Sequence, residues 1–264
     1  MNFSIIDGLA GEVLLLFLSK EEKNTNKALK LLDHIAENIF SCKDYSFNNG
    51  VVGFGWLVAF LHHRKYIDIN SDEVLEDMDD QIYKVTLQQI SRKEIEVDEL
   101  LGLIDYHIIR HRNKNQNEQY YRKFIHQECF NLIVDRLIKY IVELMVGEEL
   151  TKSQFDDYCK IVLKFSYSSH YIKNKSIEES IIRYIVFSFS FLEKNKSKIN
   201  LYHQEINNLF FAMNNMKFQI LIKEFEKITE YNFKDSYVDI STIASNLNIL
   251  ETNKIVYLIS NIVV

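Results

Sequence analysis

The chain has 264 residues, 31 Lys+Arg against 37 Asp+Glu, and a net charge of −6 at pH 7. Hydrophobic residues make up 47% and charged residues 26%, the balance of a globular chain long enough to bury a core. An acidic chain of pI near 5.8 disfavours a nucleic-acid surface. There is no Pro and there are only 7 Gly, against about 13 and about 18 at average usage. All-β folds, Rossmann sheets and Pro-rich linkers use more punctuation than this, so composition points to an all-α chain.

The N-terminus carries Asp7 and Glu12 rather than a basic region, and Val13–Leu18 is too short to span a membrane. The expectation is a cytoplasmic protein with no membrane span. Cys42, Cys129 and Cys159 are widely spaced and none forms CxxC, so they read as reduced thiols rather than a disulfide framework or zinc ribbon.

In chain order, Gly8–Leu18 is apolar nearly all round, the mark of a helix buried on every side. Thr25–Phe40 carries Ala28, Leu31, Leu32, Ile35 and Ile39 at helical spacing and reads as amphipathic. Gly50–Leu61 is again apolar all round. Ser71–Ile90 is again amphipathic, with Asn70-x-x-Glu73 resembling a capping box. Its Asp72, Glu73, Glu76, Asp77, Asp79 and Asp80 read as a solvated acidic face. Ile104–Ile109 follows as a third inner helix. Phe124–Val146 is a long periodic stretch closed by Gly147. Thr151-x-x-Gln154 and Ser176-x-x-Glu179 are box-like starts for Phe155–Phe165 and Ile177–Leu192. Lys194–Lys198 reads as a loop, ahead of helices Leu201–Met213 and Phe218–Ile228. Lys254–Val264 fits helix or strand equally.

The order buried, amphipathic, buried, amphipathic predicts inner helices backed by outer ones in a single α-helical domain over 1–264. The glycines fall in step. Gly8 and Gly11, then Gly50, Gly53 and Gly55, then Gly102 stand at the starts of three inner helices. Gly8 to Gly50 is 42 residues and Gly53 to Gly102 is 49, a period suited to helical hairpins. Their role is to permit tight turns and close backbone approach.

DGLAGEVLLLFL and SFNNGVVGFGWLVAFLHHRKYID, followed by DEVLEDMD, resemble the lanthionine synthetase C-like (LanC-like) family, whose repeats open each inner helix with a G-x-x-G-[IF]-[AG] turn. The resemblance covers Ile5–Ile109, so 1–110 read as recognisable repeats and 111–264 as diverged helical ones. It implies an (α/α) toroid-like stack of helical hairpins, incomplete relative to the seven-hairpin family barrel. It also implies thiol addition to dehydrated Ser or Thr in a peptide, with zinc held by two Cys and one His. The family's Trp-Cys-x-Gly, Cys-His-Gly and His-Gly turns are missing. Trp56 is followed by Leu57, no Cys is followed by His, and no His by Gly. No catalytic or metal residue carries over, and no cofactor is expected.

The resulting expectation is a non-catalytic accessory or peptide-binding protein in ribosomal peptide modification, with a peptide or protein partner. The alternatives are a lanthionine-cyclase-like enzyme with an altered site, such as Asp105 with His107, and an unrelated helical immunity or inhibitor protein. The candidate binding residues sit where the inner helices begin. They are Asp7, Asn48, Asn49 and Asp98, with Trp56, Asp105 and His107 deeper. Helix N-termini there offer unpaired N–H groups to carbonyls or acidic side chains, and helix capping is the competing role for Asn48, Asn49 and Asp98. His107 and His111, with His126 and Cys129 and with Asp105 nearby, have zinc-like spacing on two helices, but such pairs are common by chance and scattered placement is the preferred reading.

Overall fold

The structure is a computed structural model and describes residues 2–115, 119–147 and 149–230, together with Val256. Among these residues it is all-helical, with no strand. The helices are α1 Leu9–Leu18, α2 Glu22–Ile39, α3 Val51–His63, α4 Ser71–Val74, α5 Glu76–Ser91, α6 Val97–Arg112, α7 Tyr120–Val146, α8 Lys152–Ser168, α9 Lys175–Lys194, α10 His203–Asn215 and α11 Gln219–Thr229. A 3₁₀ turn occupies Lys196–Leu201, where a loop is expected from the sequence. None of the described helices is long and apolar enough to cross a membrane. Lys254–Val264 lies outside the described residues apart from Val256.

Among the described residues the chain divides into two compact units, the first over 2–133 together with Val256 and the second over 134–230. In the first, the two kinds of helix are distinct. Every residue of α3 from Val51 to Leu61 is buried, and so is every residue of α6 from Leu100 to Arg110. The amphipathic α2 buries only Ala28, Leu32, Ile35 and Ile39, and α5 only Met78, Asp79, Ile82 and Thr86. On α2 the three large side chains Leu32, Ile35 and Ile39 contribute roughly 5–9 kcal/mol of burial, which holds this outer helix on α1. In the second unit α8 packs along α10, and Thr151 closes a full capping box with Gln154.

Two turns in the first unit are copies of one another. Asn2 and Asp44 each accept, at Oδ1, the N–H of the serine two residues on, Ser4 and Ser46, at 3.0 and 2.7 Å. Each serine Oγ accepts the N–H of the residue before the glycine, Asp7 at 3.2 Å and Asn49 at 3.1 Å. Each serine carbonyl accepts the glycine N–H, Gly8 and Gly50, at 3.1 Å. The Asn2 and Asp44 carbonyls accept the first helical N–H of α1 and α3, Leu9 at 3.1 Å and Val51 at 3.0 Å. The copies are side by side, because the Ile5 N–H donates to the Asn48 carbonyl at 2.9 Å. Inner helices α1 and α3 therefore begin at the same end, and the turn before α3 reaches α6 through Phe47 and Gly102.

The glycines act through close approach and not through turn freedom, since none has positive φ. A Cβ on Gly53 would stand 1.8 Å from the Phe47 carbonyl oxygen, and one on Gly55 2.7 Å from the Tyr106 ring. Gly102 is not before a helix as expected but inside α6, where a Cβ would meet Phe47 Cβ at 2.4 Å. Left-handed backbone falls instead on Lys20, Lys65, Lys217 and Glu230, all at helix ends.

Two helix starts differ from expectation. Asn70 accepts the Asp72 N–H, but no reciprocal box forms, because its amide donates to the Glu73 carboxylate instead. Asn174, rather than Ser176, caps α9, accepting the Ile177 N–H.

Candidate functional site

The chemistry-bearing side chains of the first unit converge where α5, α6 and the start of α7 meet. Asp72 and Asp79 are buried, which corrects their reading as part of a solvated face; Glu73, Glu76, Asp77 and Asp80 are exposed as expected. The difference is helical phase. Asp79 falls on the stripe of Leu75, Met78 and Ile82, which faces α6.

Arg110 is the counter-ion. Its Nε donates to Asp79 Oδ1 at 3.0 Å and its Nη2 to Asp79 Oδ2 at 2.6 Å. Nη2 also reaches Asp72 Oδ1 at 3.1 Å, and Nη1 donates to Ser71 Oγ at 3.0 Å. The short α4 thus brings Ser71 and Asp72 onto the same guanidinium. Tyr106 donates its hydroxyl to Asp79 Oδ1, and Arg122 Nη1 lies 3.4 Å from Oδ2. Burial works to raise the Asp79 carboxyl, but the bonds and charges of His126 and Arg110 overcome it and hold it well below the usual range. Burial likewise opposes the Arg110 charge, and the Asp79 carboxylate restores it and raises it further.

Beside this cluster the two buried imidazoles of His107 and His126 meet. Their Nδ1 atoms are 3.0 Å apart. His107 Nε2 lies 2.9 Å from Thr86 Oγ1, and His126 Nε2 lies 3.5 Å from Asp79 Oδ1. Burial lowers both histidines; each also sits near Arg110, and Asp79 works partly against the shift. Asp79, His107, His126 and Arg122 form one side of a cleft of about 320 Å³. Asp80, Tyr83 and Tyr121 form its exposed rim.

No group of three His, Cys, Asp or Glu side chains among the described residues is arranged to hold a metal ion. His111 turns to the Lys123 carbonyl, 3.4 Å away. The Cys129 thiol is pushed up to about 12, by burial first and then by Glu128, which disfavours the thiolate that zinc requires.

The expected peptide-gripping residues separate into two groups. Asp7, Asn48, Asn49 and Asp98 are exposed near the helix starts. Gly8, Gly50 and Glu96 are the N-caps of α1, α3 and α6, with no side-chain cap bond at any of them, so the competing capping role does not describe Asn48, Asn49 or Asp98. Trp56, Asp105 and His107 are buried. Trp56 is stacked on Phe60 and edge-on to Phe47. Asp105 and His107 are two residues apart on α6, about 200° around the helix, and His107 pairs with His126 and Thr86 instead. The turn end is also acidic. A second cleft of about 290 Å³ there is lined by Asp44, Glu96 and Glu99 but also by Lys43 and Arg92, and Arg92 is ion-paired to Glu96. Glu99 is raised by burial first and then by Glu96, Asp44 and Asp98.

Sequence reasoning missed Asp79, Tyr106, Arg110 and Arg122. The available signal was an Asp on an apolar stripe together with an Arg directly after the apolar pair Ile108-Ile109.

No family model, curated protein or solved structure matches the chain.

Proposed function

We propose that the chain is a non-catalytic, LanC-like helical protein that binds a basic peptide segment, as an accessory in peptide modification. The observation that carries the binding reading is the α5–α6–α7 cleft. Its rim pairs the Asp80 carboxylate with the exposed rings of Tyr83 and Tyr121, a combination suited to a Lys or Arg side chain. The charged groups beneath are already satisfied by one another. Asp79 is held by Arg110, Tyr106 and Arg122, and each imidazole is engaged by the other. Such a floor supports binding better than acid–base turnover. The net charge of −6 favours the same sign of partner. The LanC-like part rests on the duplicated turn before α1 and α3, spaced as a hairpin repeat requires. Within the reading, the helices of the first unit belong to a toroid-like stack of hairpins, and the chain works in the cytoplasm.

The test is calorimetric titration of the full chain with hexalysine and with hexaglutamate. Hexalysine binds and hexaglutamate does not. Asp80→Asn and Tyr121→Ala, both at exposed positions, each weaken hexalysine roughly two- to fivefold. Equal affinity for the two peptides, or none for hexalysine, overturns the reading.

A further inference from the structure

We propose that Thr86, His107, His126 and Asp79 form a one-proton switch beneath the cleft, in which the two imidazoles together take up a single proton on acidification. The argument is a proton count along a chain of contacts. Four contacts run in series: Asp79 Oδ1 to His126 Nε2, His126 Nδ1 to His107 Nδ1, His107 Nε2 to Thr86 Oγ1, and Thr86 Oγ1 to the Ile82 carbonyl at 2.9 Å. With both rings neutral, one hydrogen on each ring and one on the hydroxyl serve four contacts.

In the neutral form that best serves Asp79, His126 Nε2–H points to the carboxylate. His107 Nδ1–H then donates to His126 Nδ1, and the Thr86 hydroxyl donates to His107 Nε2. The Ile82 contact is left without a hydrogen. An added proton goes to His107 Nε2. The Thr86 hydroxyl then turns to the Ile82 carbonyl and accepts from His107, and all four contacts are filled with no movement of a heavy atom. A second proton has no place, because it sets two N–H groups against each other across the 3.0 Å between the Nδ1 atoms.

The charged and titratable surroundings favour one added charge and oppose two. Asp72 from α4, and Asp79 and Asp80 from α5, are negative. Arg110 from α6 and Arg122 from α7 are positive, while Tyr106 stays neutral, its hydroxyl raised well above its ordinary value by burial. Burial sets the uptake below the ordinary histidine range. Resting on the proposed function, the consequence is that the added charge beneath the cleft weakens its hold on a basic side chain.

The test is nitrogen-15 NMR of the imidazoles in the full chain from pH 8 to pH 4.5, assigned with His107→Gln and His126→Gln. The expected result is that His107 and His126 titrate together, with one proton between them, below the other histidines. Thr86→Val, which removes the acceptor for the added proton, moves that step to lower pH, and Thr86→Ser restores it. Two independent one-proton steps, or no uptake while the chain is folded, overturns the proposal; so does a step that Thr86→Val leaves in place. Hexalysine is titrated alongside at one pH above and one below the step that the NMR titration locates, and is expected to bind about fivefold more weakly at the lower pH. Unchanged affinity overturns the coupling. Absence of binding at both values overturns the proposed function and the coupling with it, while the NMR titration alone decides the switch.

Discussion

Arg110 and Asp79, 31 residues apart in sequence, meet through two parallel hydrogen bonds, Nε to Oδ1 at 3.0 Å and Nη2 to Oδ2 at 2.6 Å. The Arg110 side chain is fully buried and that of Asp79 is 6% exposed. A pair in this setting contributes little against an apolar replacement of both partners, yet removing one partner leaves an uncompensated charge. Arg110→Met is therefore expected to cost about 3–5 kcal/mol, since it takes the principal counter-ion from both Asp79 and Asp72 and leaves Asp79 only Tyr106 and the longer Arg122 and His126 contacts. Adding Asp79→Leu to it should recover part of the loss. Urea unfolding of the single and double variants checks this; a loss under about 1 kcal/mol for Arg110→Met would sink it.

The glycines divide by what a methyl group would meet. At Gly53 the obstacle is backbone, the Phe47 carbonyl oxygen at 1.8 Å. The turn and α3 must part to make room, so Gly53→Ala is expected to be severely destabilising, by about 3 kcal/mol or more. At Gly147 the nearest atoms are 3.5 and 3.7 Å away, ordinary contact distances. Gly147→Ala should be neutral or stabilising by up to about 1 kcal/mol, because it narrows the unfolded ensemble. Thermal unfolding of the two variants side by side is the measurement, and similar melting temperatures would contradict the argument.

Lys65 and Lys217 occupy the left-handed position that closes a helix. Beyond α3 the Lys65 N–H donates to His62 O at 2.9 Å and Tyr66 N–H to Leu61 O at 2.8 Å. Beyond α10 the same pair of bonds runs from Lys217 to Asn214 at 3.0 Å and from Phe218 to Met213 at 2.9 Å. This is the Schellman pattern, where glycine is the favoured residue, and both lysines adopt φ near 60°. Lys65→Gly and Lys217→Gly should each stabilise the chain by about 0.5–1 kcal/mol. A fall in the urea midpoint for either would count against it.

The same positions show why the fold was more legible in the sequence than the site. Periodicity separated α1 and α3 from α2 and α5 because burial on all sides and burial on one stripe leave different patterns in consecutive residues. The Thr151 capping box is local too, and reads directly from Thr151 and Gln154. Asn70 shows the limit of a local motif, since its amide donates to Glu73 rather than the reciprocal box forming. The glycine period was visible at Gly8 and Gly50, but Asn2-x-Ser4 and Asp44-x-Ser46, which build both turns, were overlooked as ordinary polar residues. The site depends on long-range pairing. Nothing near Asp79 names Arg110, and nothing near His107 names His126 as a hydrogen-bond partner rather than a fellow zinc ligand. Gly102 misled for the converse reason: its spacing fits a turn, while its cause is the Phe47 ring from another segment.

Three histidines make stability depend on pH in a defined direction. Burial first, with the charges of Arg112, Arg64, His62 and Lys114 behind it, lowers His63 to about 4. His107 and His126 are lowered by burial within their pair. In the unfolded chain each returns to the ordinary value near 6.5. Below 6.5 the unfolded state therefore binds protons that the folded state refuses, and acidification favours unfolding. The contribution is fully present above about pH 6.5 and is lost as pH falls toward the folded values, at up to about 1.4 kcal/mol per proton per pH unit. Asp79, held below its ordinary 3.8, extends the loss only at more acidic pH. The two effects are thus separated in pH. Urea midpoints measured from pH 8 to pH 4.5 should be flat down to about 7 and then decline. His63→Gln should make the decline shallower with little effect at pH 8, because His63 is half-buried at the end of α3 and no hydrogen-bond chain depends on it. A profile that stays flat to pH 4.5, or a decline that His63→Gln leaves unchanged, would show that the half-buried ring is protonated freely in the folded chain.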